Sequence, residues 1–303
     1  MRRSKRVPIR KLRASASSAV SDRTAFCRCV GAKRPRRHDG RRGSRSRSLP
    51  TIRIDSLMRI AVIADVHGNA VALKAVLAHI RASALDQIVN LGDLVSGPFD
   101  PAQSADLQVG LECPTIAGNH ERQLLQGGMG VSDAFARPLL TNAHLDWIAS
   151  LPKTLALADE QVFACHGSPA GGDLEYLLED VRSGHPILDR EDAIVARLKG
   201  IGKASVVLCG HTHIPRIVAA GGVLIVNPGS VGMPGYRDNS PIPHVMEAGA
   251  PHARYALLER LADGWAAELR AVPYNFEEAA RQAERAGRDA VAFSIRTGRM
   301  PPA

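Results

Sequence analysis

Eight polar residues that could bind a metal ion or transfer a proton follow five apolar runs of the sequence. They are Asp65, His67, Asp93, Asn119, His120, His166, His211 and His213. Each apolar run has the composition of a short β-strand, rich in Ile, Val, Leu and Ala. Because ligand sites in α/β sheets lie beyond the carboxyl ends of the strands, we expect these side chains to converge on one crevice.

The types of donor indicate the chemistry of that crevice. Carboxylate, imidazole and amide groups suit divalent ions such as manganese, iron, zinc, nickel or cobalt. Asp93 stands alone at the end of its strand and is the natural candidate to bridge two ions. A single His at a strand end is more often structural, and a single Asp can cap a helix or turn. The five positions together predict a site for two divalent metal ions, whose identity the donors leave open.

The elements that must position these residues alternate between strand-like and helical segments. The strands predicted to end at the site are 59–65, 86–93, 114–119, 161–166 and 205–211. Helices are predicted over 69–81, 101–111, 132–150 and 275–288, from apolar residues at helical spacing and from favourable first turns. A hairpin across Gly221 and Gly222 and strands over 255–260 and 266–272 complete the pattern. We expect one mixed α/β domain over 58–290 and a flexible tail over 291–303.

Residues 1–57 differ in composition from the rest of the chain. They carry 18 Lys and Arg against 3 Asp and Glu, whereas the remainder has a net charge of −6 within a total of +9. This Arg- and Ser-rich segment lacks apolar periodicity and is expected to be disordered. We interpret it as an artefact of start-site choice, because Met58 directly precedes the first strand. A nucleic-acid-binding arm and an organelle-targeting presequence are the alternatives.

Composition also limits the cellular setting and the partners. The sequence has no run of 18 apolar residues, so no membrane-spanning helix is predicted. Its five cysteines are odd in number and scattered, which argues against a disulfide framework and favours a cytoplasmic location. The negative charge of residues 58–303 argues against a broad nucleic-acid-binding face, so nucleic acid is expected as a partner only through the basic segment. No pattern indicates an oligomeric state.

Together, the five motifs resemble those of the calcineurin-like metallophosphoesterases. The family pattern is D-x-H, G-D, G-N-H-[DE], H-G and G-H-x-H. It is matched in order by Asp65-x-His67, Gly92-Asp93, Gly118-Asn119-His120-Glu121, His166-Gly167 and Gly210-His211-Thr212-His213. The resemblance covers residues 58–270, and the sequence from Asn227 to Gly232 is similar to the small bacterial and archaeal phosphodiesterase branch. It implies an αββα sandwich, in which two mixed β-sheets are flanked by helices.

The resemblance also implies roles for individual residues. One metal ion would be held by Asp65, His67, Asp93 and His213, and the other by Asp93, Asn119, His166 and His211. His120 would bind no metal and would be the catalytic proton donor to the leaving group. A hydroxide bridging the two ions would attack the phosphate ester of a small or nucleotide substrate. Asn69 and Arg122 are further candidates for substrate binding.

Departures from other branches of the family favour a phosphodiester substrate. Serine/threonine phosphatases and dinucleoside tetraphosphatases follow Gly-Asp with V-D-R-G and place Arg before G-N-H. Here Asp93 is followed by Leu94-Val95-Ser96-Gly97-Pro98, and Ala117 precedes Gly118. Arginine clamps bind terminal phosphate dianions in bidentate fashion, and both of these arginines are missing. A phosphomonoesterase, protein phosphatase or dinucleoside polyphosphatase is the alternative activity. A non-catalytic protein-binding scaffold on the same fold is the alternative from another class.

Overall fold

The computed structural model describes residues 58–83 and 85–302. The basic segment 1–57 lies outside the described residues, as do all three interpretations of it. In chain order the strands are β1 (Arg59–Ile63), β2 (Gln87–Asn90), β3 (Thr154–Leu157), β4 (Val162–Cys165), β5 (Glu179–Asp180), β6 (Ile187–Leu188), β7 (Val206–Leu208), β8 (Arg216–Ala220), β9 (Val223–Asn227), β10 (Gly235–Asp238), β11 (His244–Glu247), β12 (Ala253–Leu261) and β13 (Gly264–Val272). The α-helices are α1 (Ala70–Arg81), α2 (Pro101–Val109), α3 (Asn119–Gln126), α4 (Val131–Ala136), α5 (Asn142–Ser150), α6 (Glu191–Arg197), α7 (Phe276–Arg285) and α8 (Asp289–Thr297).

Two mixed sheets form the centre of the domain. One has four strands in the order β13-β12-β1-β2, and the other has five in the order β3-β4-β7-β9-β8. In the first sheet β1 and β2 run parallel, and in the second β4, β7 and β9 run parallel. The carboxyl ends of the neighbouring strands β1 and β2 therefore lie at one edge of their sheet, and those of β4 and β7 do so in the other.

Apolar side chains fill the space between the two sheets. Ile60 and Val62 of β1 belong to the same buried cluster as Val162 of β4 and Val206 of β7. Alternate residues of each strand point the other way, where helices cover them. On the outer face of the first sheet, Ala61 and Ile63 pack with the apolar side of α1, and on the outer face of the second sheet, Val207 and Ile225 pack with Ile194 of α6. The predicted αββα arrangement of two helix-flanked mixed sheets is confirmed.

Two predicted elements were wrong in type or extent. Residues 114–119 form only one bridge, between Asn90 and Thr115, instead of a strand. Pro114 has no N–H to donate, and α3 already begins at Asn119. The helix predicted over 132–150 is two helices separated by a one-turn 3₁₀ helix at Arg137–Leu139. Pro138 interrupts the helical hydrogen bonds, and the Thr141 side chain caps a new helix by accepting from the backbone N–H of His144.

The expected flexible tail over 291–303 was also wrong in its first half. Helix α8 covers residues up to Thr297, and Val291, Ala292 and Ile295 are buried against alanines of α7. The left-handed Gly287 ends α7 and lets the chain turn back, so that the two helices pack side by side. None of the described helices is long and apolar enough to cross a membrane.

Candidate metal centre

The predicted ligands lie in the loops that follow the parallel strands of the two sheets. Asp65 and His67 follow β1 and Asp93 follows β2, while His166 follows β4 directly and His211 follows β7. Hydrogen bonds connect these loops, one of them between the two sheets and one within the second sheet. The His211 N–H donates to the Asp65 carboxylate, and the N–H of Gly210 donates to the carbonyl of His166. The two sheets therefore meet at the site, as the strand ends predicted.

One group of inward-facing donors consists of Asp65, His67 and His213, whose ligand atoms all lie within 4.8 Å of one another. The two Nε2 atoms of His67 and His213 are 3.0 Å apart, and Nε2 of His213 is 3.5 Å from Oδ1 of Asp65. All three residues are buried. Three buried donors at this separation can surround a single cation.

A second group consists of Asp93, His166 and His211. Nε2 of His166 is 3.2 Å from Oδ2 of Asp93 and 3.2 Å from the amide oxygen of Asn119. The same Oδ2 of Asp93 is 3.9 Å from Nε2 of His67, which belongs to the first group. Asp93 thus lies between the two groups, where one carboxylate can contribute to both. A third combination within the same distance joins His67 and Asp93 to His120.

Hydrogen bonds to backbone carbonyls orient three of these imidazoles. Nδ1 of His67 lies 2.8 Å from the carbonyl of Ser96, Nδ1 of His166 lies 2.8 Å from that of Leu91, and Nδ1 of His213 is likewise bonded to a carbonyl. Each carbonyl requires the proton on Nδ1, which leaves the lone pair of Nε2 facing the site. Two lone pairs 3.0 Å apart repel each other unless a cation lies beside both. Oδ2 of Asp65 is also buried and accepts no hydrogen bond from the described residues. The donor set fits divalent metal ions.

Without metal, two of these imidazoles already have the neutral form that metal binding requires. Burial lowers the pKa of His67 to about 3, and the neighbouring imidazole of His213 adds to this effect. Burial likewise lowers the pKa of His211 to about 4, with a further contribution from His166. Burial would also lower the pKa of His166, but the Asp93 carboxylate outweighs it and raises the pKa to about 10. His67 and His211 are therefore neutral near pH 7, as metal-binding imidazoles must be.

Backbone strain is concentrated at the same residues. Left-handed φ angles occur at Asp65, His67, Asp93, His211 and His213, with values between 50° and 68°. Non-glycine residues adopt this conformation at a cost of about 1–3 kcal/mol each, and such residues cluster where function requires a fixed geometry. Five of the seven predicted ligands carry this strain, which supports a functional site independently of the motif.

Comparison with known proteins agrees with this geometry. A family model described as the calcineurin-like phosphoesterase superfamily domain matches residues 58–247. The chain belongs to this superfamily. Membership of this superfamily supports the conclusion that the chain is a hydrolase that acts on phosphoester bonds and binds divalent metal ions.

Similar proteins and structures extend the match beyond the region of the family model. The crystal structure of a metallophosphoesterase from Sphaerobacter thermophilus is 26% identical with a TM-score of 0.61, covering 80% of this chain and 99% of that chain. A hypothetical protein of Pyrococcus horikoshii shares the fold at 16% identity, with a TM-score of 0.63 over 80% of this chain and 100% of that chain. An uncharacterized protein of Methanocaldococcus jannaschii is 28% identical over 203 residues, which is 58% of this chain and 76% of that protein.

Glu121 is a buried carboxylate that fixes the loops of the phosphoesterase motif. Its two oxygens accept hydrogen bonds from the backbone N–H groups of Asp93, Leu94 and Gly118. Gly118 must be a glycine because an added Cβ would lie 2.2 Å from Oδ1 of Asp93. Glu121, which has no expected role in the reaction, therefore holds together the two loops that carry Asp93 and Asn119.

His120 is oriented by a residue that sequence reasoning did not find. Nδ1 of His120 is 2.6 Å from Oδ1 of Asp133 on α4, and the other oxygen of Asp133 accepts from the N–H of Gly130. Burial alone would lower the pKa of His120, but the carboxylates of Asp93 and Asp133 raise it to about 9. Asp133 is itself fully buried. This hydrogen bond leaves Nε2 as the nitrogen of His120 available to a substrate.

The two predicted substrate-binding residues are occupied by other contacts. Asn69 is buried, and its side chain caps α1 by accepting from Ala72 while donating to the carbonyl of Gly232. Its amide holds the loop through these hydrogen bonds, and a substrate-binding role for Asn69 stays a prediction. The Arg122 guanidinium donates to both oxygens of Asp173, at 2.7 and 3.1 Å. A guanidinium held in this way is not available as a bidentate phosphate clamp.

Proposed function

We propose that this chain is a phosphodiesterase that uses two divalent metal ions. The observation that carries the proposal is the position of Asp93, whose Oδ2 lies 3.2 Å from Nε2 of His166 and 3.9 Å from Nε2 of His67. One ion would be held by Asp65, His67, Asp93 and His213, and the other by Asp93, Asn119, His166 and His211. A pair of ions held by such a set activates water and neutralises phosphate oxygens as charge develops.

His120 is proposed as the proton donor to the leaving oxygen. Its ring lies edge-on to that of His67, with the centroids 5.2 Å apart, so it is adjacent to the first group of donors. Asp133 holds Nδ1 and thereby directs Nε2 toward the substrate. Asp133 also stabilises the imidazolium that this role requires, as a carboxylate does for the histidine of a catalytic dyad. His120 supplies the proton, and Asp133 positions it.

A diester is the favoured substrate because the site offers little to bind a terminal phosphate dianion. The motif arginines of the phosphatases are replaced by Ser96 and Ala117 at the corresponding positions. Arg122 is hydrogen-bonded to Asp173. A diester carries one negative charge on its non-bridging oxygens and needs no additional guanidinium.

The test is turnover by the full chain of bis-p-nitrophenyl phosphate against p-nitrophenyl phosphate, with manganese, nickel, zinc, cobalt or magnesium added in turn. We expect metal-dependent release of nitrophenol, with the diester preferred in kcat/KM. A preference for the monoester would identify a phosphomonoesterase instead. If folded, metal-loaded protein cleaves neither compound, the result would favour a non-catalytic scaffold. The complete set of predicted ligands argues against that alternative.

A further inference from the structure

A cleft of about 900 Å³ opens beside the metal centre at His211. Its walls come from the segment around β5, the start of α6 and the end of β10. This volume is that of a small-molecule pocket. His120 contacts the ring of His67, whereas the cleft begins at His211, in the other donor group. If the leaving group departs toward His120, the cleft receives the ester group that stays on phosphorus.

The walls of the cleft carry more negative than positive side chains. Six carboxylates line it: Glu175, Glu179, Asp180, Asp189, Asp192 and Asp238. Three arginines also line it, and each is hydrogen-bonded to one of these aspartates. The pairs are Arg182 with Asp180, Arg190 with Asp192 and Arg197 with Asp189. The arginines that line the cleft therefore neutralise three of the six carboxylates. Arg216, whose Nε lies 3.0 Å from Oε1 of Glu179, offsets a fourth, so that two carboxylates remain in excess.

The three remaining carboxylates differ in their contacts. Glu175 accepts a hydrogen bond from the Ser168 hydroxyl, and half-buried Asp238 accepts only from backbone N–H groups. Glu179 is buried, and its Oε1 accepts from Arg216 at 3.0 Å. Its Oε2 is buried without a hydrogen-bond partner among the described residues. A buried acceptor oxygen on a pocket wall is costly unless a ligand supplies a donor.

An aromatic ring lies at the inner end of the cleft. The ring of Tyr176 packs on that of His211, with centroids 5.1 Å apart, and its hydroxyl is bonded to His244. Aromatic faces attract cations, most strongly where water is excluded. A second phosphate or carboxylate in this cleft would instead meet an excess of like charge, which disfavours its binding.

We propose that the cleft binds an ammonium-bearing ester group of a phosphodiester, of the 2-aminoethyl type. The ammonium supplies N–H donors for the unpaired oxygen of Glu179, positive charge for Asp238, and a cation for the face of Tyr176. This inference rests on the proposed function of the adjacent metal centre. It makes the substrate a small zwitterionic diester and excludes nucleic acid and dinucleoside polyphosphates.

The test compares two diesters that differ in one group. These are p-nitrophenyl 2-aminoethyl phosphate and p-nitrophenyl propyl phosphate, in which a methyl replaces the ammonium and the leaving group is the same. With metal-loaded full chain we expect kcat/KM to favour the aminoethyl compound by about tenfold, as expected for a few ångströms between opposite charges in a partly solvated cleft. Asp238→Asn should reduce that ratio by about threefold, and added salt should reduce it as well.

The matched control is Asp263→Asn, which removes an equal charge from the exposed turn between β12 and β13, outside the cleft, and should leave the ratio unchanged. Equal turnover of the two diesters, or a preference for the propyl compound, overturns the inference while leaving the phosphodiesterase activity intact. If neither these diesters nor bis-p-nitrophenyl phosphate is cleaved, the proposed function has failed. Calorimetric binding of the two intact diesters to the metal-loaded chain then decides the inference, which requires tighter binding of the aminoethyl compound.

Discussion

In the candidate metal centre the donor side chains are buried between strand ends, whereas the cleft beside it is walled by short strands and turns with exposed ion pairs. Asp65 is fully buried and Asp93 is 2% exposed, and both adopt a strained left-handed backbone. In the cleft, the side chain of Arg182 is 79% exposed although it is bonded to Asp180. Exposed ion pairs of this kind contribute little to stability. The two regions adjoin at His211 but are held in place by different means.

From this difference we expect the buried donors to determine the reaction and the cleft to determine which substrate is preferred. Metal binding requires donors fixed to within a fraction of an ångström, which the rigid ends of the sheets and the buried Glu121 carboxylate provide. The cleft is built on connecting segments, which can change sequence at little cost to the fold. Substitutions in the first region should therefore abolish turnover, and those in the second should alter preference or pH response.

Asp93→Ala should have the largest effect, because it removes the carboxylate that lies between the two donor groups. We expect loss of bound metal and a fall in kcat/KM of more than about 10³-fold, corresponding to several kcal/mol of transition-state stabilisation. Metal content by mass spectrometry and turnover of bis-p-nitrophenyl phosphate measure both effects. Asp263→Ala on the exposed β12–β13 turn is the control. Retention of two ions by the Asp93 variant would remove the basis of the proposed ligand grouping.

Asp133→Asn should reduce kcat by about 10–100-fold while both metal ions stay bound, since Asp133 acts through His120, which it orients and whose imidazolium it stabilises. The loss should be larger for esters with poor leaving groups, which need the proton most. In a His120→Ala background, the same substitution should have almost no further effect on kcat. Additive losses in the double variant would show that Asp133 acts independently of His120, through the packing of α4.

The candidate ligands could be located from sequence because each lies within a short motif, and all except Asn119 come shortly after a strand. Asp133 could not, because it lies on the separate helix α4, and its approach to His120 depends on the path of the intervening glycine-rich loop. The same holds for Asp173, which is 51 residues from its partner Arg122. Asn69 did carry a signal, since an Asn immediately before an apolar helical run is typical of an N-cap.

Strand prediction was reliable where several apolar residues are buried together, as in β1, β4 and β7. It failed where tertiary contacts decide the structure. The two-residue strand β5 lines the cleft and pairs with β6, yet Ile187 and Leu188 of β6 are exposed and follow no periodic pattern. Selectivity therefore depends on the part of the chain whose structure its own sequence predicts least.

Glu179→Gln should change the pH dependence of stability. Burial raises the pKa of the Glu179 carboxyl to about 7, with Arg216 opposing the shift. Because the folded state holds this proton more tightly than the unfolded state, the carboxyl contributes stability at low pH that is lost as pH rises from its unfolded pKa to about 7. Relative to the variant, the wild-type free energy of unfolding should fall by about 3 kcal/mol over that interval.

Urea unfolding at both ends of the interval measures this free energy, with Glu268→Gln on exposed β13 as the control. Parallel pH profiles for wild type and Glu179→Gln would contradict the assignment.

Arg122→Ala should have the smallest effect, with a change in KM below about threefold, because an ion pair this exposed is worth at most about 1 kcal/mol. The side chains of Arg122 and Asp173 are 30% and 25% exposed.

Asp173→Ala is the more informative variant, since it releases the Arg122 guanidinium. If Arg122 can reach the phosphate once released, Asp173→Ala will lower KM for p-nitrophenyl phosphate, and adding Arg122→Ala will cancel that gain. A large rise in KM from Arg122→Ala alone would mean that the substrate displaces Asp173, and the site would then have the guanidinium that a phosphomonoesterase requires.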